Sequence, residues 1–176
     1  MKTTALFFIF VLPLFFVSGL HGQQFVRLLP EKTLEINGYD VSYIASLKKT
    51  RKGEDYYRIT VTVTNTGNDF LQLFREAQKN FDRTYYQPVA YFQFVNATGR
   101  GLSATSGKIY PRPLTISVPY ACKKCPPPTD SKADKYNHYV MSYYIGLQFR
   151  RGSTLSHTYD IRVHKGEYPV VRVMVY

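Results

Sequence analysis

The chain has 176 residues, of which 44% are hydrophobic and 20% are charged. This composition excludes a disordered chain and a polytopic helical membrane protein, and the length suits one domain. Two cysteines exclude a disulfide-rich scaffold. Lys and Arg number 23 against 12 Asp and Glu, a formal net charge of +11 that favours acidic partners.

The first 22 residues have the three parts of a secretory signal peptide. Lys2 gives a basic start, residues 5–17 form an apolar run interrupted only by Pro13, and small residues from Ser18 to Gly22 follow. A membrane-spanning helix needs about 20 apolar residues, more than this run contains. We therefore expect residues 1–22 to be removed. The mature chain, 23–176, is expected to form one domain without a transmembrane helix and to be secreted, periplasmic or held at the cell surface.

The rest of the chain has the pattern of short β-strands separated by turns. The clearest segment is 57–64, in which Ile59, Val61 and Val63 alternate with arginine and threonine. Comparable patterns predict strands at residues 33–36, 39–47, 70–74, 89–95, 114–118, 139–149, 158–163 and 171–175.

Turn signals and strand spacing predict the fold class. Asn37 and Gly38 indicate a two-residue hairpin turn. Residues 72–81 are ambiguous, because their composition suits a short helix as well as a continuation of the strand pattern. Eight or nine short strands predict an all-β antiparallel sandwich rather than βαβ units. In the long strand 139–149, alternation predicts one shared face for Tyr139, Met141, Tyr143, Ile145, Leu147 and Phe149.

An exposed loop is predicted at residues 119–135, because this segment contains three consecutive prolines and several lysine and aspartate residues. Cys122 and Cys125 lie in this loop with two lysines between them. This spacing suits a disulfide, a redox pair or half of a zinc site. An oxidising compartment favours a structural disulfide, and no histidine or second cysteine pair has the spacing of a metal site. We expect no bound metal and no cofactor.

Basic residues concentrate in three short segments. Such groups could form one rim that binds a polyanion (a glycan, lipopolysaccharide or an anionic lipid), although solvated turns are often lysine-rich as well. A protein partner at the cell surface is also compatible with these loops, whereas nucleic acid is not favoured. The candidate ligand-binding residues are Lys48, Lys49, Arg51, Lys52, Lys123, Lys124, Arg150 and Arg151.

Three aromatic pairs could stack on a carbohydrate. They are Tyr85 with Tyr86, Tyr91 with Phe92, and Tyr143 with Tyr144. Tyrosine also packs well in half-buried sheets, which favours a structural role for these pairs. The chain has no G-x-S-x-G nucleophile motif, and its acidic residues are scattered, so we expect no catalytic residues and no enzyme activity.

The stretch from Tyr57 to Asn68, YRITVTVTNTGN, resembles the strand and turn of bacterial immunoglobulin-like modules, including cell-adhesion-related domains. The resemblance implies an extracellular binding or spacer module without catalytic residues.

The sequence therefore favours an exported, non-enzymatic binding or structural module. Two alternatives remain: a small outer-membrane β-barrel, for which only 139–149 has the full strand length, and a secreted redox or metal-binding protein that uses Cys122 and Cys125.

Overall fold

The structure is a computed structural model that describes residues 24–102, 107–121 and 138–176. The predicted signal peptide, both cysteines, Lys123 and Lys124 lie outside the described residues. In chain order, the strands are β1 (Val26–Arg27), β2 (Leu34–Ile36), β3 (Tyr39–Arg51), β4 (Glu54–Asn65), β5 (Phe70–Gln78), β6 (Ala90–Val95), β7 (Lys108–Ile109), β8 (Arg112–Ala121), β9 (His138–Phe149), β10 (Thr154–His164) and β11 (Val170–Val175).

These strands form three sheets in which all neighbours are antiparallel. Sheet A has the order β1-β11-β6-β7, sheet B has β10-β4-β3-β2, and sheet C has β5-β9-β8. The prediction of an all-β, antiparallel protein is therefore confirmed. The described residues contain eleven strands instead of eight or nine, because β1 and β7, with two residues each, are too short to give a sequence pattern.

One buried cluster joins the sheets. In β4, Ile59, Val61 and Val63 are all 0% exposed, as their alternation predicted. They share this cluster with residues of sheet A, and the rings of Phe94 in β6 and Tyr159 in β10 lie 4.8 Å apart between the two sheets. Removing each such side chain from water stabilises the fold by about 1.5–3 kcal/mol.

Two hairpin turns in sheet B have the same backbone geometry. Asn37 and Gly38 connect β2 to β3 with φ of 52° and 79°, so the predicted Asn-Gly hairpin is confirmed. Lys52 and Gly53 connect β3 to β4 with the same two values. Positive φ at both central residues defines the type I′ turn, whose twist matches that of the flanking strands.

The short helix considered for residues 72–81 is not formed, because residues 72–78 belong to strand β5. Phe70 pairs with Phe149, and Leu73 pairs with Gly146, so hydrogen bonds to β9 satisfy the backbone that a helix would have satisfied internally. A single 3₁₀ turn, Arg83–Tyr85, follows this strand. Strand β8 continues to Ala121, so the first three residues of the predicted loop belong to the sheet.

The predicted common face of β9 is also wrong. Gly146 pairs with Leu114 while Tyr144 pairs with Thr115, which leaves Ile145 as an extra residue in β9. An extra residue of this kind is a β-bulge, and it reverses which side chains face the core. Leu147 and Phe149 are buried at 1% exposure, whereas the register places the half-buried Met141 and Tyr143 on the opposite face of β9.

Candidate functional site

The β3–β4 hairpin carries the longest basic segment of the described chain. Residues 48–52 are all exposed. Leu47 pairs with Tyr57 while Lys49 pairs with Tyr56, so Lys48 is an extra residue and forms a β-bulge. Without this bulge, Lys49 would pair with Asp55, whose side chain is directed to the buried side and is only 5% exposed. The bulge therefore places Lys49 on the outer face of sheet B.

Two further arginines lie on that outer face. Arg58 in β4 pairs in register with Asp160 in β10, and Arg162 in β10 pairs with Tyr56. The Arg58 Nε atom lies 3.0 Å from the Asp160 carboxylate. Arg162 Nε lies 3.5 Å from a carboxylate oxygen of Glu54. We call this surface the basic end of sheet B; its cations are Lys48, Lys49, Arg51, Lys52, Arg58 and Arg162, and its carboxylates are Glu54 and Asp160.

The basic end has more cations than its carboxylates can neutralise. Its six cations face two carboxylates, and both carboxylates already have arginine partners. None of the lysines forms an ion pair with a described carboxylate. The hydrogen bond from Arg58 is the largest influence on Asp160 and lowers its pKa; desolvation opposes this shift, and the charges of Arg58 and Lys48 add to it. Asp160 is therefore ionised at neutral pH, and the surface remains cationic.

An aromatic ring and a row of hydroxyl groups extend this surface. The Lys49 ammonium lies 5.0 Å from the centre of the Tyr56 ring, which is a cation–π contact. Beyond the basic end, three pairs of hydroxyl groups connect β4 with β10 across the outer face at 2.9–3.2 Å. The pairs are Thr60 with Thr158, Thr62 with Ser156, and Thr64 with Thr154. A ligand that lies along these strands would meet cations first and then hydroxyl groups.

Of the other predicted basic residues, Arg150 and Arg151 are described, and they do not join this surface. Arg150 and Arg151 lie in the β9–β10 turn, where the N–H group of Arg151 donates to Asp69 and that of Gly152 donates to the Asn65 carbonyl. Asn65 is the last residue of β4, whereas Lys52 adjoins its first residue. The length of β4 separates the two groups by roughly 35 Å, at about 3.3 Å per residue. One rim that includes both groups is therefore not formed.

Sequence reasoning missed Arg58 and Arg162, because each is a single arginine in an alternating strand. Only the pairing of β4 with β10, which joins residues 102 positions apart, brings these arginines beside the hairpin. The alternation of β4 predicted that Arg58 is directed outward, but no sequence signal specified its neighbour.

The packing role predicted for the aromatic pairs is confirmed for four of the six residues and fails for Tyr85. Tyr91 lies edge-on to Phe25 with ring centres 5.5 Å apart, and Tyr144 stacks on Phe81 at 5.0 Å. Phe92 is 1% exposed in the core. The Tyr86 ring stacks on Phe74 and Phe81 at 4.9 and 5.3 Å. Tyr85, by contrast, is 85% exposed.

The described part of the chain contains no helix with the length and apolar character needed to cross a bilayer. Within the same residues, no three His, Cys, Asp or Glu side chains are grouped so that they could hold a metal ion. No protein-family model, no curated protein and no solved structure matches the chain.

Proposed function

We propose that this protein is an exported, non-enzymatic binding module of the cell envelope or extracellular space. It holds a polyanionic ligand on the basic end of sheet B. The observation that carries the proposal is the excess of exposed, unneutralised cations on one face of a sheet. The shared buried cluster of sheets A and B supports a sandwich arrangement, in which the outer face of sheet B is available to a ligand.

The chemistry of the surface suits sulfate, phosphate or carboxylate groups on an extended polymer or a lipid surface. Arginine binds such groups through two parallel hydrogen bonds, and lysine provides a compact charge. The hydroxyl pairs of β4 and β10 add donors and acceptors for sugar hydroxyl groups next to the charged groups. An anionic glycan, lipopolysaccharide or an anionic lipid headgroup presents this combination.

The backbone at Lys52 gives further support. A non-glycine residue at φ 52° is strained unless its side chain is Asn or Asp, and the chain uses Asn at the equivalent turn position, Asn37. A lysine retained where asparagine would be less strained is consistent with a role for its charge.

The proposal is tested by heparin affinity chromatography of the full chain. Arg51→Gln together with Lys52→Gln removes two charges from the basic end. Arg150→Gln together with Arg151→Gln removes two charges about 35 Å away and is the matched control. We expect the first variant to elute at lower salt, with the logarithmic salt dependence of binding reduced by about two, and the control to elute close to the unmodified chain.

Two results would contradict this function. The first is that the chain binds neither to heparin nor to vesicles that contain an anionic phospholipid. The second is an equal loss of retention in the two variants, because that result would show a response to net charge alone.

A further inference from the structure

A cleft in the described residues lies away from the basic end. It has a volume of about 500 Å³ and is bounded by β5, by the segment that connects β5 to β6, and by the end of the β11 segment. This volume lies within the range of small-molecule sites, roughly 300–1,000 Å³. Its lining combines four tyrosines and two glutamines with four apolar residues: Tyr39, Tyr85, Tyr86, Tyr176, Gln72, Gln87, Phe70, Leu71, Pro88 and Val89.

None of the described residues that line this cleft is charged. This contrasts with the chain as a whole, which has a net charge of +11 and in which one residue in five is charged. A charged ligand would find no side chain of opposite charge in the cleft. The side chains of the cleft therefore favour an uncharged ligand, in contrast to the basic end of sheet B.

The aromatic walls of the cleft are held in place before any ligand arrives. The Tyr39 ring stacks on the buried Phe149 ring, with centres 5.8 Å apart and planes inclined by 15°. The Tyr86 ring stacks on Phe74 and its hydroxyl group donates to Gln78 at 3.1 Å. Walls that are already ordered lose little conformational entropy on binding, which favours affinity.

Tyr85 differs from these fixed rings. It lies in the 3₁₀ turn that follows β5, and its side chain is 85% exposed at the edge of the cleft. The Asp82 carboxylate caps this turn by accepting from the Thr84 N–H group at 2.9 Å. The turn is thus fixed while the Tyr85 ring remains available for stacking.

We propose that this cleft binds a neutral saccharide. A sugar ring has apolar C–H faces, which pack on aromatic rings, and hydroxyl edges, which need donors and acceptors. The tyrosine rings supply the aromatic surface for the C–H faces. The amides of Gln72 and Gln87 supply hydrogen-bond donors and acceptors for the hydroxyl edges. A proline-rich peptide also docks on aromatic grooves, but it brings few hydroxyl groups for two glutamine amides. This site is additional to the basic end and does not depend on it.

Isothermal titration calorimetry with the full chain tests the proposal. The probes are cellohexaose, mannohexaose, xylohexaose and laminarihexaose, with a polyproline peptide for comparison. We expect at least one of these saccharides to bind with an affinity that high salt does not weaken. Tyr85→Ala should raise its Kd about fivefold, because one stacking contact is lost. Gln87→Ala should also raise the Kd. Tyr168→Ala, a 42% exposed tyrosine outside the cleft, is the control and should leave the Kd unchanged.

Three outcomes would overturn the saccharide site: no saccharide of the panel binds, the peptide alone binds, or Tyr85→Ala and the control have equal effects. A thermal melt of each variant shows whether a loss of binding reflects unfolding. The heparin experiment uses other residues, and only heparin binding is expected to weaken with salt, so the two proposals can fail separately.

Discussion

The first central residues of the two type I′ turns of sheet B can be swapped by a pair of substitutions, Lys52→Asn and Asn37→Lys. Lys52 and Asn37 have the same φ, 52°, and each is followed by a glycine at 79°. An L-residue in this left-handed region costs roughly 1–2 kcal/mol, and asparagine costs less because its short side chain tolerates the conformation. We expect Lys52→Asn to raise the free energy of unfolding by about 1 kcal/mol, and Asn37→Lys to lower it by a similar amount.

The assay combines stability with binding. For a domain of this size, about 1 kcal/mol shifts the Tm by about 3 °C, which a thermal melt followed by circular dichroism resolves. Lys52→Asn should also elute from heparin at lower salt, since it removes one cation from the basic end. Asn37 lies near Asn65, at the opposite end of sheet B, so Asn37→Lys should lose stability without gaining retention. A less stable Lys52→Asn variant would refute the strain argument. Unchanged retention of that variant would refute the role of Lys52 in binding.

Two further predictions concern buried polar groups. Asn65 is 1% exposed, its amide donates to the carbonyls of Asn68 and Phe149 at 2.8 and 2.7 Å, and its side-chain oxygen accepts from the Gly67 N–H group. Asn65→Ala should therefore cost about 3 kcal/mol in urea unfolding, and a loss under about 1 kcal/mol would contradict this role. Tyr159 has a buried hydroxyl group without a hydrogen-bond partner among the described residues, so Tyr159→Phe should stabilise the fold by about 1 kcal/mol. Burial raises the pKa of Tyr159 to about 12, so the unfolded chain ionises first and stability should fall as the pH rises from 10 to 12. Tyr159→Phe should reduce this fall in stability. If the variant loses as much stability between pH 10 and 12 as the unmodified chain does, the buried Tyr159 hydroxyl group is not its cause.

The local pattern of the sequence predicted much of sheet B. In a strand, successive side chains face opposite sides, so Ile59, Val61 and Val63 could be assigned to the core from their alternation alone. The Asn37-Gly38 turn was equally predictable, because few residue pairs accept positive φ at both positions. The signal at Lys52 was weaker, since lysine is an unfavourable residue in that turn, and only the following Gly53 indicated it.

The sequence by itself determined the all-β class and the core face of β4, since both are indicated by the alternation of neighbouring residues along the chain. Only the tertiary structure decided the candidate sites. The bulges at Lys48 and Ile145 depend on which residues of neighbouring strands pair, and a shift of one residue reverses the face of each side chain that follows. The basic end and the uncharged cleft are likewise assembled from distant segments, whose proximity is set by burial of the shared core.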